Sequence, residues 1–335
     1  MSDAPRKILV VRLSSLGDIL HSLPGAAALR QGFPEAQIDW LVQRRWLALL
    51  EGSPAVNQVI PFDPSPHGSV FGSVKQLRSA QYDVSVDFQG LYKSAVMSFL
   101  SGARRRVGFN WSSAWESGAS LFYNERVRGG GPHRVDKNLS LVEALGVPRP
   151  AIPQFPVRVS AAAALNVKER LAGEGVNEYW VIAPAAGWGS KTWPADRCGA
   201  VCRELEIRRG WRAVIAAGPG EQELARVVRE TAAPARPILL ETSLPELMAL
   251  LSAARCVLAG DTGPLHLAAA LGVPVVALYG ATDPAQTGPY TTKAIVICHA
   301  RAGETSYDRR RNSAPAMLAI TVEEVIDAIE KSWSS

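Results

Sequence analysis

The stretch "RLSSLGDILHSLP" (12–24) places Asp18 directly after Gly17, at the point where an apolar strand run gives way to a predicted helix. A carboxylate there has two uses: it caps the free N–H groups of the first turn, or it faces outward as a general base. Further on, "PAAGWGSKTWP" (184–194) comes near the P-loop pattern but carries Ala185 and Ser190 where the two glycines belong, so that motif is absent. Lys191, flanked by the hydroxyls of Ser190 and Thr192, still suits a phosphate; a solvated surface lysine also fits these residue types. In "AAGPGEQELA" (216–225), Glu221 and Glu223 open a helix after a glycine turn. Either one would hold the two hydroxyls of a ribose, or simply complement the helix dipole.

The fourth stretch is "GDTGPLHLAAALG" (260–272), a strand-to-helix corner. Asp261 and Thr262 stand at the carboxyl end of the strand, Pro264 suits the start of the helix, and Gly272 its end. The N–H groups from Gly263 onward make a place for an anion, phosphate above all. The plainer alternative is an N-cap with His266 on the surface of the first turn. Thr282 and Asp283, after the next strand, extend this corner. No D-x-D, H-E-x-x-H or C-x-x-C pattern occurs, so phosphate charge falls to Lys191, hydroxyls and a helix terminus. The four cysteines, Cys198, Cys202, Cys256 and Cys298, show no metal spacing and read as buried free thiols.

The elements that position these corners alternate along the whole chain. Strand runs "KILVVRL", "QIDWLV", "NQVIPF" and "YDVSVDFQG" are separated by helical runs in the first half. A proline-dense segment, "GVPRPAIPQFPVRV" (146–159), interrupts the series, which restarts at "YWVIAPAAG". Such alternation predicts an α/β protein of two Rossmann-like domains, each a parallel sheet with helices on both faces, facing across a cleft. The expected divisions are 1–155, 156–320 and a closing helix, 321–335, that starts from a Thr cap.

At 335 residues, with 47% hydrophobic and 20% charged residues, the chain is an ordinary globular protein of two-domain size. It has no run of transmembrane length and no apolar signal core before the first strand, which predicts a cytoplasmic protein. Residues 1–150 hold 17 Lys+Arg against 12 Asp+Glu, whereas the remainder is balanced, so the formal charge of +5 lies in the first half. That excess fits an acidic partner or mere solubility. Arg44, Arg45 and Lys93 lie in or near predicted loops of that half, where such a partner would meet them. The turn "RLSSLGD" lacks the glycine fingerprint of dinucleotide folds, which argues against an epimerase or oxidoreductase.

Together, "SSLGDILHSLP", "VDFQGLYKSA", "ASLFYN", "SKTWP" and "GDTGPLHLAAALGVPVVALYGATDP" resemble glycosyltransferase family 9, the lipopolysaccharide heptosyltransferases, and within it the heptosyltransferase I branch. The resemblance runs over nearly the whole chain. It implies a GT-B fold and metal-independent, inverting transfer of L-glycero-D-manno-heptose from ADP-heptose to the 3-deoxy-octulosonic acid (Kdo) region of a lipid A acceptor. It further implies a cytoplasmic enzyme in peripheral contact with the inner membrane, with no cofactor, metal or nucleic acid. By motif, Asp18 matches the general base and Lys191 the contact to donor phosphate. Thr192, Asp261, Thr262, Gly263 and His266 match the donor corner, and Glu221 or Glu223 the ribose contact. Ser15, Gly17, Gln89 and Glu116 fall in segments matching the acceptor side, to which Arg44, Arg45 and Lys93 are added as cations. The chain departs from the branch at Trp115, which stands before Glu116 where a basic residue is usual.

Overall fold

The computed structural model describes residues 4–63, 70–300 and 314–333. The chain divides into two compact units, Met1–Arg158 and Val159–Ser335. The first runs β1 (Lys7–Val11), α1 (Leu16–Gly32), β2 (Gln37–Gln43), α2 (Leu47–Leu50), β3 (Gln58–Phe62), α3 (Val70–Ala80), β4 (Val84–Asp87), α4 (Tyr92–Leu100), β5 (Arg105–Phe109), β6 (Glu125–Val127) and α5 (Arg134–Glu143). The second runs α6 (Ala161–Gly173), β7 (Trp180–Ala183), α7 (Ala195–Arg209), β8 (Ala213–Ala217), α8 (Gln222–Thr231), β9 (Ile238–Glu241), α9 (Leu244–Ser252), β10 (Val257–Gly260), α10 (Gly263–Ala270), β11 (Val275–Tyr279), α11 (Pro284–Thr287), β12 (Ala294–Cys298), α12 (Pro315–Ala319) and α13 (Val322–Trp333).

Each unit holds one six-stranded sheet, ordered β3-β2-β1-β4-β5-β6 and β12-β11-β10-β7-β8-β9. Every pairing is parallel, with Val10 opposite Trp40 and Val86 in the first sheet and Ala259 opposite Ala183 and Ala277 in the second. The two orders describe the same doubly wound topology, as the alternation of strand and helix runs predicts. The central strands read as continuous apolar runs because helices cover both faces. Ile8, Leu9, Val10 and Val11 in β1, and Val181, Ile182, Val257 and Leu258 in β7 and β10, are all buried.

Helix packing fixes the ends of these sheets. Asn138 of α5 donates to the carbonyl of His21 in α1 at 2.9 Å, which seats α5 along α1. The last helix, α13, starts from a capping box in which Thr321 and Glu324 satisfy each other's backbone N–H, and its apolar side joins the core of the second unit. Cys198, Cys202 and Cys256 are buried thiols, and burial pushes Cys198 and Cys256 up to about 12. Cys298, at the end of edge strand β12, is only half-buried, contrary to the expectation for all four.

One close approach is a direct test of this packing. A Cβ at Gly199 in α7 would lie 2.1 Å from Thr231 Oγ1 and 2.7 Å from the Val228 carbonyl of α8. Gly199→Ala gains helix propensity but must push the two helices apart, a net loss of about 1–3 kcal/mol expected from overpacking. Urea denaturation would measure it; an unchanged or higher midpoint would refute the close packing of α7 on α8.

Candidate active site

In a doubly wound sheet, ligands gather outside the carboxyl ends of the strands where the order reverses. Those places are β1/β4 in the first unit and β7/β10 in the second. An ion pair stands at each.

In the first unit, β1 is followed by Arg12, whose side chain is buried although charged. Its Nη1 donates to the Phe88 carbonyl at 2.6 Å, and its Nη2 lies 2.8 Å from Asp18 Oδ1. Ser15, not Asp18, is the N-cap of α1, and Asp18 occupies the third helical position of a capping box. The Ser15 hydroxyl donates to Asp18 Oδ2 at 2.9 Å and its N–H at 3.3 Å. Asp18 therefore supports the helix start with one oxygen while the other faces Arg12, so the two uses open in the sequence are compatible. Burial pushes the Asp18 carboxyl up, but the Arg12 guanidinium, the Ser15 bonds and the Arg134 charge outweigh it and hold the group below the usual carboxylate value. Gly17 lies beside it in the same first turn.

The opposite wall is the turn after β4. Gln89 is buried; its Oε1 accepts from Leu13 N–H at 2.9 Å and its own N–H donates to Asp87 Oδ1 at 2.7 Å. Asp87 also accepts from the Tyr123 hydroxyl at 2.7 Å. Burial raises its pKa by more than these bonds lower it. The Gln89 side chain thus locks the β1 and β4 loops together.

Asp18 opens onto a pocket lined further by Arg12, His21, Phe109, Trp115, Arg134, Lys137 and Asn138. Arg134 and Asn138 lie four residues apart on one face of α5, so the contact that docks this helix on α1 also brings Arg134 and Lys137 to Asp18. Burial, and then the Arg134 charge, lower the Lys137 pKa. These three cations stand outside the site candidates that the sequence patterns offer. Arg12 had a signal, a charge ending a buried strand run; Arg134 and Lys137 lie in a helix that the sequence reading passed over. Of the expected acceptor cations, Arg44 and Arg45 are exposed after β2, Arg45 bonding Gln43 Oε1 at 2.9 Å. Lys93 reaches Ser14 Oγ at 3.5 Å, beside the β1 loop. Glu116 Oε2 accepts from Tyr92 N–H at 2.5 Å, at the start of α4.

In the second unit the β7 loop and the β10 corner meet. Lys191 Nζ lies 2.6 Å from Asp261 Oδ2 and 4.5 Å from the centre of the Trp188 ring. With its side chain only 15% exposed, Lys191 is not a solvated surface lysine. Asp261 collects donors: Thr282 Oγ1 at 2.7 Å on Oδ2, and His266 Nε2 at 3.0 Å and the Tyr279 hydroxyl at 3.4 Å on Oδ1. Burial would raise this carboxyl, but His266 and Lys191 together hold it well below the usual range. His266 is buried, not a surface residue of the first turn. Thr262 is the N-cap of α10, and Gly263 is its first helical residue, one earlier than Pro264. Thr192 follows Lys191 directly and donates to the Trp188 carbonyl at 3.4 Å.

The two glutamates part company. Glu221 folds back so that its Oε2 accepts from Gly218 N–H at 2.8 Å, which keeps it at the carboxyl end of β8. Glu223 is exposed and paired with Arg226 at 2.7 Å.

The model of glycosyltransferase family 9 (heptosyltransferase) matches residues 70–316, more than half of the chain. The chain belongs to glycosyltransferase family 9. A lipopolysaccharide heptosyltransferase 1 of Pseudomonas aeruginosa is 32% identical over 85% of this chain and 81% of its own. The lipopolysaccharide core heptosyltransferase OpsX of Haemophilus influenzae is 26% identical over 98% of both. Among solved structures, the Escherichia coli heptosyltransferase WaaC with ADP superposes with a TM-score of 0.76, at 28% identity over 97% of this chain and 99% of its own. Two Rossmann-like α/β units give this family 9 chain the GT-B fold that the sequence resemblance implies. Among the described residues, no group of three or more His, Cys, Asp or Glu side chains is placed to hold a metal ion, and no helix is long and apolar enough to cross a membrane.

Proposed function

We propose that this family 9 chain transfers L-glycero-D-manno-heptose from ADP-heptose to the Kdo region of a lipopolysaccharide inner-core acceptor, with inversion and without a metal. The observation that carries this reading is the ionised Asp18 carboxylate opening into a pocket ringed by Arg12, Arg134 and Lys137. An acidic sugar acceptor fits such a pocket, and a carboxylate already stripped of its proton is ready to take one.

Asp18 accepts the proton of the acceptor hydroxyl as that oxygen bonds to the anomeric carbon of the heptose. The bond from that carbon to the β-phosphate oxygen breaks, and ADP leaves with the electron pair. One displacement of this kind inverts the anomeric centre. In the second unit Lys191, the Thr192 hydroxyl and the N–H groups opening α10 meet the charge that gathers on the departing diphosphate. Asp261 and His266 hold that corner in shape, and Glu221, already at the sheet's carboxyl end, takes the ribose in preference to Glu223. A lipid-linked acceptor brings the enzyme to the inner face of the cytoplasmic membrane, where the exposed Arg44, Arg45 and Lys93 favour an acidic surface.

Purified protein with ADP-heptose and a Kdo-bearing lipid A acceptor is expected to give a product heavier by one heptose, with inverted anomeric configuration, at an undiminished rate in EDTA. Absence of that product would overturn the proposed donor and acceptor. A rate abolished by EDTA and restored by Mg²⁺ or Mn²⁺ would overturn the metal-free mechanism.

A further inference from the structure

We infer that Trp115 is a positioning residue that fixes Arg134 beside Asp18, and that Arg134, so held, binds the anionic group of the acceptor. The inference rests on the transfer reading above and names the residues that select the acceptor.

The Arg134 guanidinium carbon lies 4.1 Å from the centre of the Trp115 ring, and both side chains line the pocket of Asp18. Trp115 is 53% exposed, so core burial does not account for an indole at this place. Its backbone is anchored. Gly90 takes a left-handed conformation (φ 68°), its carbonyl accepts from Glu116 N–H at 3.1 Å, and a Cβ there would lie 3.5 Å from the Trp115 nitrogen. Glu116 is bonded in turn to Tyr92 N–H. The ring is therefore mounted on the turn after β4, whereas Arg134 opens α5 from a different part of the chain.

A guanidinium on a long side chain loses rotamer freedom when it binds an anion; an aromatic face that already holds it removes part of that cost. A guanidinium lining the pocket offers a carboxylate the planar geometry that suits charge-assisted hydrogen bonds, and the Lys137 ammonium lines the same pocket as a second charge. A sugar acid gripped there presents its hydroxyls toward Asp18. A neutral sugar of the same size gains none of this.

The test uses the full chain with free 3-deoxy-octulosonic acid and its neutral methyl ester in calorimetric titrations, together with steady-state transfer. Trp115→Ala and Arg134→Gln are each expected to weaken binding of the acid and raise acceptor KM about tenfold, leaving donor KM in place. Trp115→Phe keeps most of the affinity, and Trp115→Ala/Arg134→Gln is no worse than Arg134→Gln alone, because both changes remove one contact. Losses that add in the double variant, an unchanged acceptor KM in Trp115→Ala, or an ester bound as tightly as the acid would each overturn the inference. A parent protein that binds the acid through Trp115 and Arg134 but transfers no heptose would overturn the proposed function and leave this inference standing.

Discussion

Asp18→Asn is expected to bind ADP as the parent does and to lose about a hundredfold or more in kcat, the usual contribution of a general base. The substitution separates the two tasks of this side chain. An amide oxygen still accepts from the Ser15 hydroxyl and N–H, so the start of α1 is kept, but it takes no proton. Arg12 loses its carboxylate partner yet retains the Phe88 carbonyl, so the fold survives with a modest loss of stability. The pH profile gives an independent sign. Protonation disables the base, and Arg12, Ser15 and Arg134 hold its pKa below that of an ordinary aspartate, about 3.9. The parent kcat/KM is therefore expected to stay level from pH 8 down to about 5. A fall centred near pH 6 would assign the base to an imidazole, and His21 lines this pocket. Turnover of the Asn variant within a few-fold of the parent, with unfolding and ADP binding intact, would reduce Asp18 to a helix-capping residue.

The parts of this protein that were legible in the sequence are those where local chemistry and tertiary role agree. "GDTGPLHLAAALG" announces a strand, a corner and a helix, and the structure forms all three, with Gly272 in the left-handed conformation (φ 75°) that ends α10. The doubly wound topology was legible because buried parallel strands have only apolar residues to show. The two strands that close the first sheet beyond β4 were not. In β5 "RRVGF" and β6 "ERV", Arg105 pairs with Glu125 across neighbouring strands, and this polar content conceals both. Helix α5 was missed in a glycine-rich stretch, and with it went Arg134 and Lys137. Its three-dimensional reason, Asn138 reaching the His21 carbonyl, spans more than a hundred residues and leaves no local pattern. Sequence spacing placed Glu221 and Glu223 equally well at a ribose; only the fold-back of Glu221 onto Gly218 N–H separates them.

In the proposed mechanism the two ion pairs divide the work by how many donors each carboxylate collects. Asp18 keeps a partly open side chain and accepts from Ser15 and Arg12, which leaves it room for an incoming hydroxyl in the proposed transfer. Asp261 is nearly sealed and surrounded by Lys191, His266, Thr282 and Tyr279. A buried carboxylate so saturated is a poor base and would repel a phosphate on its own. Its use is to hold Lys191 and His266 at fixed places, so the positive face of the corner depends on Lys191.

Lys191→Ala is accordingly expected to lower kcat/KM for the donor by about a hundredfold or more, with kcat falling as well as KM rising. In the proposed transfer the ammonium meets ground-state phosphate, and meets the departing diphosphate more strongly as its charge grows, so its loss would be felt in both constants. The same change strands the Asp261 charge in a buried site, where breaking a pair costs up to about 3 kcal/mol of stability. With its folded-state pKa depressed, Asp261 contributes stability that is fully present above the ordinary carboxylate value and lost as pH falls through the lower folded value. Without Lys191 that depression shrinks, so less stability is lost in acid and the loss is complete at a higher pH. Lys191→Ala/Asp261→Asn removes both charges, and is expected to recover much of the stability while recovering none of the turnover. Urea denaturation and single-turnover transfer would read the two quantities separately. If the double variant regained activity along with stability, Lys191 would serve only to neutralise Asp261, and the charge on the leaving ADP would have to be met by the α10 N-terminus and the hydroxyls alone.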